Sequence, residues 1–455
     1  MIVSRDWAGK RYAVLGLARS GAATVSALLA GGARVVAWDS DPAKRQALAS
    51  LSFSGGASPQ TVSLEEAPHP NPSPEGEGLI LADLDTLDLS GFDALVVSPG
   101  VPLNTHPLAA AARAAGVPII GDIELFAQAR RDLPSHRVVG ITGTNGKSTT
   151  TALVHHILKT AGVPTLMGGN IGLPILGQAP LPEGGVYVLE LSSYQIDLTT
   201  GLDCDVAVLL NITPDHLDRY DGFAGYAASK ARLFAMQSAG HVAVVGTGDE
   251  ASANIAQGLA GRTDDLVTIA SDPIDQSRWP ALQGPHNAQN ARAAIAVARA
   301  LGVAEDAIEA GLASYASLPH RMQQVATRNG VAFVNDSKAT NPESTAPALG
   351  AFPRVHWIVG GKRKGDDLDA CAAHLDHVVA AYTIGEAAPL FFDLLKDKVP
   401  VVEQSGTLEA AVAHAAAAAR PGDTVLLSPA CASFDQFRDY EARGDAFRAA
   451  VEALA

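Results

Sequence analysis

The chain has 455 residues, 47% hydrophobic and 18% charged, which allows two to four domains with sizeable cores and excludes wholesale disorder. Its formal net charge of −15 carries no sustained basic block, so nucleic acid is excluded as a main partner and any anionic ligand must be met by locally gathered cations. The start Met1 to Asp6 is no signal peptide and no run is apolar enough to span a bilayer, so the expectation is a cytoplasmic protein with no membrane partner. Cys204, Cys371 and Cys431 match neither zinc nor disulfide spacing and are expected as small buried hydrophobes.

Strand-like and helix-like segments alternate in three blocks, which predicts a three-domain α/β protein. The expected boundaries are 1–132 for a Rossmann-like domain, 133–317 for a central parallel-sheet domain of the P-loop ATPase type, and 318–455 for a second Rossmann-like domain. In the first block, a strand over Arg11 to Gly16, a helix over Gly21 to Ala30 and a strand over Arg34 to Asp39 form a βαβ unit. Its turn has Ala18 where a dinucleotide fingerprint has its second glycine, so NAD is disfavoured. Asp39 reads equally well as a ribose or uracil partner and as the start of the following turn. The proline-rich stretch from Ala67 to Gly78 is expected as an exposed, mobile insertion, and Phe92 to Gly100 as a strand entering a tight turn.

The second block opens with the most informative stretch. An apolar strand over Arg137 to Ile141 runs into Gly143-Thr144-Asn145-Gly146-Lys147-Ser148-Thr149 and then into a helix reaching Ala161. Glycines at 143 and 146 let backbone N–H groups turn onto an anion, the helix start adds its positive dipole end, Lys147 reaches terminal phosphates and Ser148 reaches magnesium. Such a loop suits a nucleoside triphosphate. The next strands, Val186 to Glu190 and Val206 to Asn211, end in polar residues, where ligands of open parallel sheets sit. Glu190 is placed to hold magnesium; Asp215-His216, Lys230, and Asn287 with Asn290 follow in order. Strands at Val331 to Val334, Val355 to Val359 and Thr424 to Leu427 build the third block.

Together these pieces resemble the Mur ligase family of peptidoglycan precursor synthesis, whose phosphate loop reads G-T-x-G-K-[ST]-T as at Gly143 to Thr149, with Glu190, His216, Lys230, the Asn287 to Asn290 helix start and Arg321 in family order. The third block is similar to the D-glutamate-adding branch, through Asn335 to Asn341 and Ser428 to Phe437; the D-N-P-R signature of the diaminopimelate-adding branch is absent. The resemblance implies an ATP-dependent amide ligase. ATP phosphorylates the carboxylate of UDP-N-acetylmuramoyl-L-alanine, and the amine of D-glutamate displaces phosphate.

The resemblance also implies roles. Lys147, Asn170, His216 and Lys230 are catalytic, and Ser148, Glu190, His216 and Lys230 hold two Mg2+ ions, Lys230 as a carbamate. The competing reading of Lys230 is a charged lysine that touches phosphate or Glu190. ATP falls to Gly143 through Thr149 and to Asn287, Asn290, Arg321, Asp336 and Lys338. The nucleotide-sugar falls to Arg19, Ser20, Asp39, Ser98 and Gly100. D-Glutamate falls to Thr340, Lys364, Ser433, Phe434 and Tyr440, with Lys362 as the alternative lysine, and the protein is expected as a monomer. An NAD-dependent oxidoreductase leaves the phosphate loop unexplained, and a non-enzymatic nucleotide switch predicts ATP binding without amide formation.

Overall fold

The computed structural model describes residues 1–50, 60–61, 78–215, 219–261, 265–270, 272, 274–363 and 365–454. Outside the described residues fall His216, Lys364 and nearly all of the proline-rich stretch. The chain divides into two compact units, Met1–Ala270 with Ala293–Ile308, and Ser271–Arg292 with Glu309–Ala455.

The first unit holds two six-stranded sheets among the described residues. The first sheet comprises β1 (Arg11–Leu15), β2 (Arg34–Trp38), β3 (Gln60–Thr61), β4 (Leu79–Leu81), β5 (Ala94–Val97) and β6 (Ile119–Ile120). It is parallel throughout, in the order β3-β4-β2-β1-β5-β6. Tyr12, Ala13, Val14 and Leu15 are all buried, as a parallel strand covered on both faces requires. Strand order reverses at β1, which pairs with β2 on one side and β5 on the other. In open parallel sheets ligands sit beyond the carboxyl ends at such a reversal, which here are those of β1 and β5.

The second sheet comprises β7 (His136–Thr142), β8 (Thr165–Gly169), β9 (Gly185–Glu190), β10 (Val206–Leu209), β11 (Val242–Gly246) and β12 (Leu266–Ile269). It is parallel, in the order β12-β11-β10-β7-β9-β8, and turns about β7. The helix Asp122–Ala129 locks the two sheets together. Glu124 accepts from the N–H groups of Thr200 and Gly201 at 2.7 and 2.9 Å, and Phe126 packs edge-on against Tyr187 with ring centres 5.1 Å apart. A buried carboxylate bonded to two N–H groups has little reason to let go. The carboxyl edges of both sheets are thereby fixed within one body.

The second unit carries β13 (Gln323–Arg328), β14 (Val331–Asn335), β15 (Val355–Gly360), β16 (Val378–Ile384), β17 (Val402–Gly406) and β18 (Thr424–Leu427), in the order β13-β14-β18-β15-β16-β17. Among the named strands of the described residues, β13 and β14 form the antiparallel pair, joined at Asn329-Gly330 with φ of 50° and 76°, the left-handed pair that matches hairpin twist. The three cysteines are buried, as expected. Burial pushes the thiols of Cys204 and Cys371 up to about 12, which leaves them inert.

Candidate active site

β7 delivers the chain into the Gly143 to Gly146 loop and the helix Lys147–Thr160. Gly143 sits at φ +152°, where an added Cβ would stand 3.0 Å from Leu210 Cβ, and Gly146 caps the helix at φ +83°. The loop is tied to the exit of β10. Thr144 and Asn145 donate their N–H groups to Asn211, to its carbonyl and its Oδ1, both at 2.9 Å, and the Thr213 N–H donates to Thr144 Oγ1 at 3.0 Å. The loop is thus shaped before any ligand arrives. Lys147 folds back over it, Nζ donating to the Gly143 and Thr144 carbonyls at 2.9 and 2.7 Å, and Ser148 is buried in the first helical turn. Sequence reasoning did not assign a role to Asn211; a side chain that can donate and accept, directly after a strand beside the loop, was the available signal.

Glu190 ends β9 and is buried. Its Oε1 accepts from Asn170 Nδ2 at 2.8 Å, and its Oε2 is buried with no hydrogen-bond partner among the described residues. An ionised oxygen in that state is costly unless a cation meets it, so the site fits a hard divalent metal such as Mg2+. Gly169 makes the approach possible, since an added Cβ would lie 2.2 Å from the Glu190 carbonyl.

Lys230 lies on the helix Gly222–Ala235 and is only 1% exposed. Its Nζ donates to Gly143 O at 2.9 Å, the same carbonyl that Lys147 uses, and stands 4.6 Å over the Tyr226 ring. Burial first, then the charge of Lys147, hold the amine well below the usual lysine range, against the pull of Asp215 and Asp197. The structure therefore brings together the phosphate loop, Ser148, Asn170, Glu190 and Lys230 on one sheet edge.

On the first sheet, Ser98 Oγ donates to Gly16 O at 2.8 Å. A Cβ on Gly21 would fall 1.8 Å from that same carbonyl, so the turn and helix can pack only with glycine there. Asp39 is buried, and both its oxygens are taken by backbone, one by the Leu17 N–H at 2.7 Å and the other by the Asp41 N–H at 2.9 Å. Burial would raise its pKa, but these bonds and Lys44 outweigh it and hold it below the usual carboxylate range. Of the two readings left open, the turn-organising one describes its contacts. Arg19 is exposed and Ser20 half-buried at the start of the helix Arg19–Ala30, and Gly100 is exposed in the turn after β5.

In the second unit, Asp336, Lys338 and Thr340 follow β14, and Ser433, Phe434 and Tyr440 follow β18. Asp336 is buried, accepting from the Met322 N–H at 3.1 Å and from Ser428 Oγ at 2.8 Å. Burial nevertheless pushes its carboxyl up to about 7. Its stabilising contribution is then complete below the unfolded value of 3.8 and is lost as pH rises toward 7. Urea melts should show wild type losing up to about 4 kcal/mol between pH 4 and 8 relative to Asp336→Asn; parallel pH profiles would refute the shift.

Lys338 Nζ donates to the Tyr440 hydroxyl at 3.0 Å. Ser433 is buried, Phe434 is 68% exposed, and Asn290 Nδ2 donates to Asn287 Oδ1 at 3.1 Å. Arg321 is half-buried, and its backbone N–H donates to Leu318 O at 3.1 Å. Arg443 escaped the sequence reading. Its buried guanidinium donates to Ser337 O and Cys431 O at 2.8 and 3.0 Å and so binds the exits of β14 and β18 together. Burial lowers its pKa to about 10, so it remains charged at neutral pH.

Residues 141–279 match the Mur ligase middle domain, and residues 320–431 match the Mur ligase, glutamate ligase domain. Over its full length the chain is 63% identical to the UDP-N-acetylmuramoylalanine--D-glutamate ligase of Novosphingobium aromaticivorans, covering 97% of that protein. It is 60% identical to the protein of the same name from Sphingopyxis alaskensis, with both chains fully covered. Among solved structures, the UDP-N-acetylmuramate-alanine ligase MurC of Thermotoga maritima shares the fold at a TM-score of 0.58, with 16% identity and 98% and 99% of the two chains covered. MurF of Acinetobacter baumannii does so at 0.53, with 19% identity and 74% and 87% covered. With a middle-domain match laid over the phosphate loop and relatives similar from end to end, the chain belongs to the Mur ligase family.

Proposed function

We propose that the protein joins D-glutamate to UDP-N-acetylmuramoyl-L-alanine, using ATP and passing through an acyl phosphate. The observation that carries this reading is the convergence of the phosphate loop, the unpartnered Glu190 oxygen and the buried Lys230 amine on one sheet edge. The relatives named for this reaction supply the substrates.

A carboxylate attacking the γ-phosphorus of ATP brings negative charge against negative charge, and the leaving ADP gathers more. Lys147 exchanges its two carbonyl partners for phosphate oxygens, and the loop N–H groups and helix start add fixed positive potential at no reorganisation cost. Ser148, Glu190, His216 and a carbamylated Lys230 would hold Mg2+, which when bound supplies further neutralisation of the phosphates. Lys230 reacts with CO2 only as the neutral amine, and its burial and the neighbouring Lys147 favour that form. Asn170, bonded to Glu190, orients the carboxylate near the new bond. Once phosphate is attached, the amine of D-glutamate attacks the carbonyl carbon and phosphate leaves from the tetrahedral intermediate.

The remaining assignments follow the resemblance: Arg19, Ser20, Asp39, Ser98 and Gly100 for the nucleotide-sugar; Asn287, Asn290, Arg321, Asp336 and Lys338 for ATP; Thr340, Ser433, Phe434, Tyr440 and Lys364 or Lys362 for D-glutamate. The domain limits 1–132, 133–317 and 318–455, a cytoplasmic site of action and a monomeric state belong to the same proposal. The test is product mass. With ATP, Mg2+ and both substrates, the nucleotide-sugar should gain one glutamyl residue for each ADP formed, and L-glutamate should fail. ADP release without an amide product would refute the reading.

A further inference from the structure

One chain of side-chain contacts crosses the first unit from the turn after β5 to the phosphate loop, and the chemistry above leaves it unused. Arg219 Nη2 donates to Val101 O at 3.1 Å, just past Ser98. The same guanidinium lies 4.2 Å over the centre of the Tyr194 ring. Tyr194 stacks on Tyr220, with 6.0 Å between centres and 9° between planes, and Tyr220 tilts against Tyr226 at 5.5 Å. Tyr226 closes the ladder beneath Lys230, and its hydroxyl meets Thr144 Oγ1 at 3.2 Å.

The rungs are also pinned sideways. Tyr220 donates its hydroxyl to Asp197 Oδ2 at 2.9 Å and lies 3.4 Å from Ser229 Oγ, which donates to Ser193 O at 3.1 Å. Ser193 and Asp197 bound the short helix that follows Glu190. Aliphatic side chains would fill such a path without directional demands. Here an arginine and three of the chain's eight tyrosines fill it, so each rung must orient a polar group as well as a ring, and its rotamer is set by its neighbours.

We propose that Arg219, Tyr194, Tyr220 and Tyr226 are positioning residues for the ligation, holding the Lys230 amine and the Thr144 side of the phosphate loop in register with the turn after β5. This rests on the function proposed above, in which that turn takes the nucleotide-sugar and Lys230 serves the acyl transfer. Planar rings have few soft torsions, so a displacement of Val101 arrives at the other end as a rotation of the Tyr226 ring under Nζ.

The test is a double-mutant cycle on kcat and on the KM of each substrate. Arg219→Ala and Tyr226→Phe should each lower kcat about tenfold, leaving the KM for ATP within about twofold, and Arg219→Lys should not restore the loss because it cannot stack. The double variant should lose about as much as the worse single variant, since a ladder broken at one rung has nothing left to transmit, whereas independent sites would multiply their losses. Should Arg219→Ala fail to fold by its melting curve, the cycle is run with Arg219→Lys. Multiplied losses, or a folded Arg219 variant with unchanged kcat, overturn the ladder alone. A wild-type protein that forms no amide in the product assay instead overturns the functional reading, and the ladder's role with it.

Discussion

Lys230→Ala should lower the ligation rate by about 10³-fold or more, and formate or acetate should restore part of it while alkylammonium salts should not. The direction of rescue decides between the two chemical readings of this lysine. A side chain 1% exposed leaves a closed cavity when cut back to alanine, and a small solute can enter it. If Lys230 works as a carbamate, the missing group is a carboxylate-like anion facing a metal, and a small carboxylate replaces it. If it works as an ammonium on Gly143 O, the missing group is a cation, and methylammonium replaces it. The structure favours the first outcome physically, because two lysines share one carbonyl and the buried one has its charge suppressed. Steady-state rates across a series of small anions and cations, normalised to folded protein, decide the matter. Rescue by the amine series, or by neither series, would refute the carbamate.

Much of this was readable in the sequence where the signal is local. The phosphate loop declares itself because glycine, lysine and serine at fixed spacing between an apolar strand and a helix satisfy one geometry, and the structure puts β7 and the helix Lys147–Thr160 around it. Strands β1, β2, β10 and β18 were legible as continuous apolar runs buried on both faces. β8 was not, because Thr165–Gly169 is an edge strand ending in two glycines, and β17 was not, because Val402–Gly406 is polar and half-exposed at the other sheet's edge. Long-range roles were the least legible. Arg443 reads as an ordinary surface arginine on the helix Tyr440–Glu452 until it is seen to bond Ser337, 106 positions earlier. Asp39 lay open between ligand and turn because its backbone partner, the Leu17 N–H, sits on another strand's exit. Nothing in a one-dimensional pattern states which carbonyl two lysines will share.

That shared carbonyl gives Lys147→Ala two effects rather than one. The direct effect is the loss of the side chain that neutralises the terminal phosphates, which should cost about 10³-fold in kcat, the scale seen when one preorganised charged donor is removed from a transition state. Lys147→Arg should not recover it, because the planar fork is too large to fold back onto the Gly143 and Thr144 carbonyls at 2.9 and 2.7 Å. The indirect effect falls on Lys230. With the neighbouring charge removed, the second-largest influence depressing its pKa disappears, so the pKa rises and the neutral fraction at a given pH falls. Residual activity of Lys147→Ala should therefore climb with pH, and with added bicarbonate, over a range in which the wild type is already flat. Binding of the nucleotide-sugar, measured by calorimetry without ATP, should be unchanged, because the substitution leaves Ser98 on the Gly16 carbonyl and Asp39 on the Leu17 N–H, the bonds that shape the turns after β1 and β5. Intact ligation by Lys147→Ala would remove the phosphate loop from the chemistry; a residual rate with the wild-type pH profile would leave the loop in place and sever the link between the two lysines.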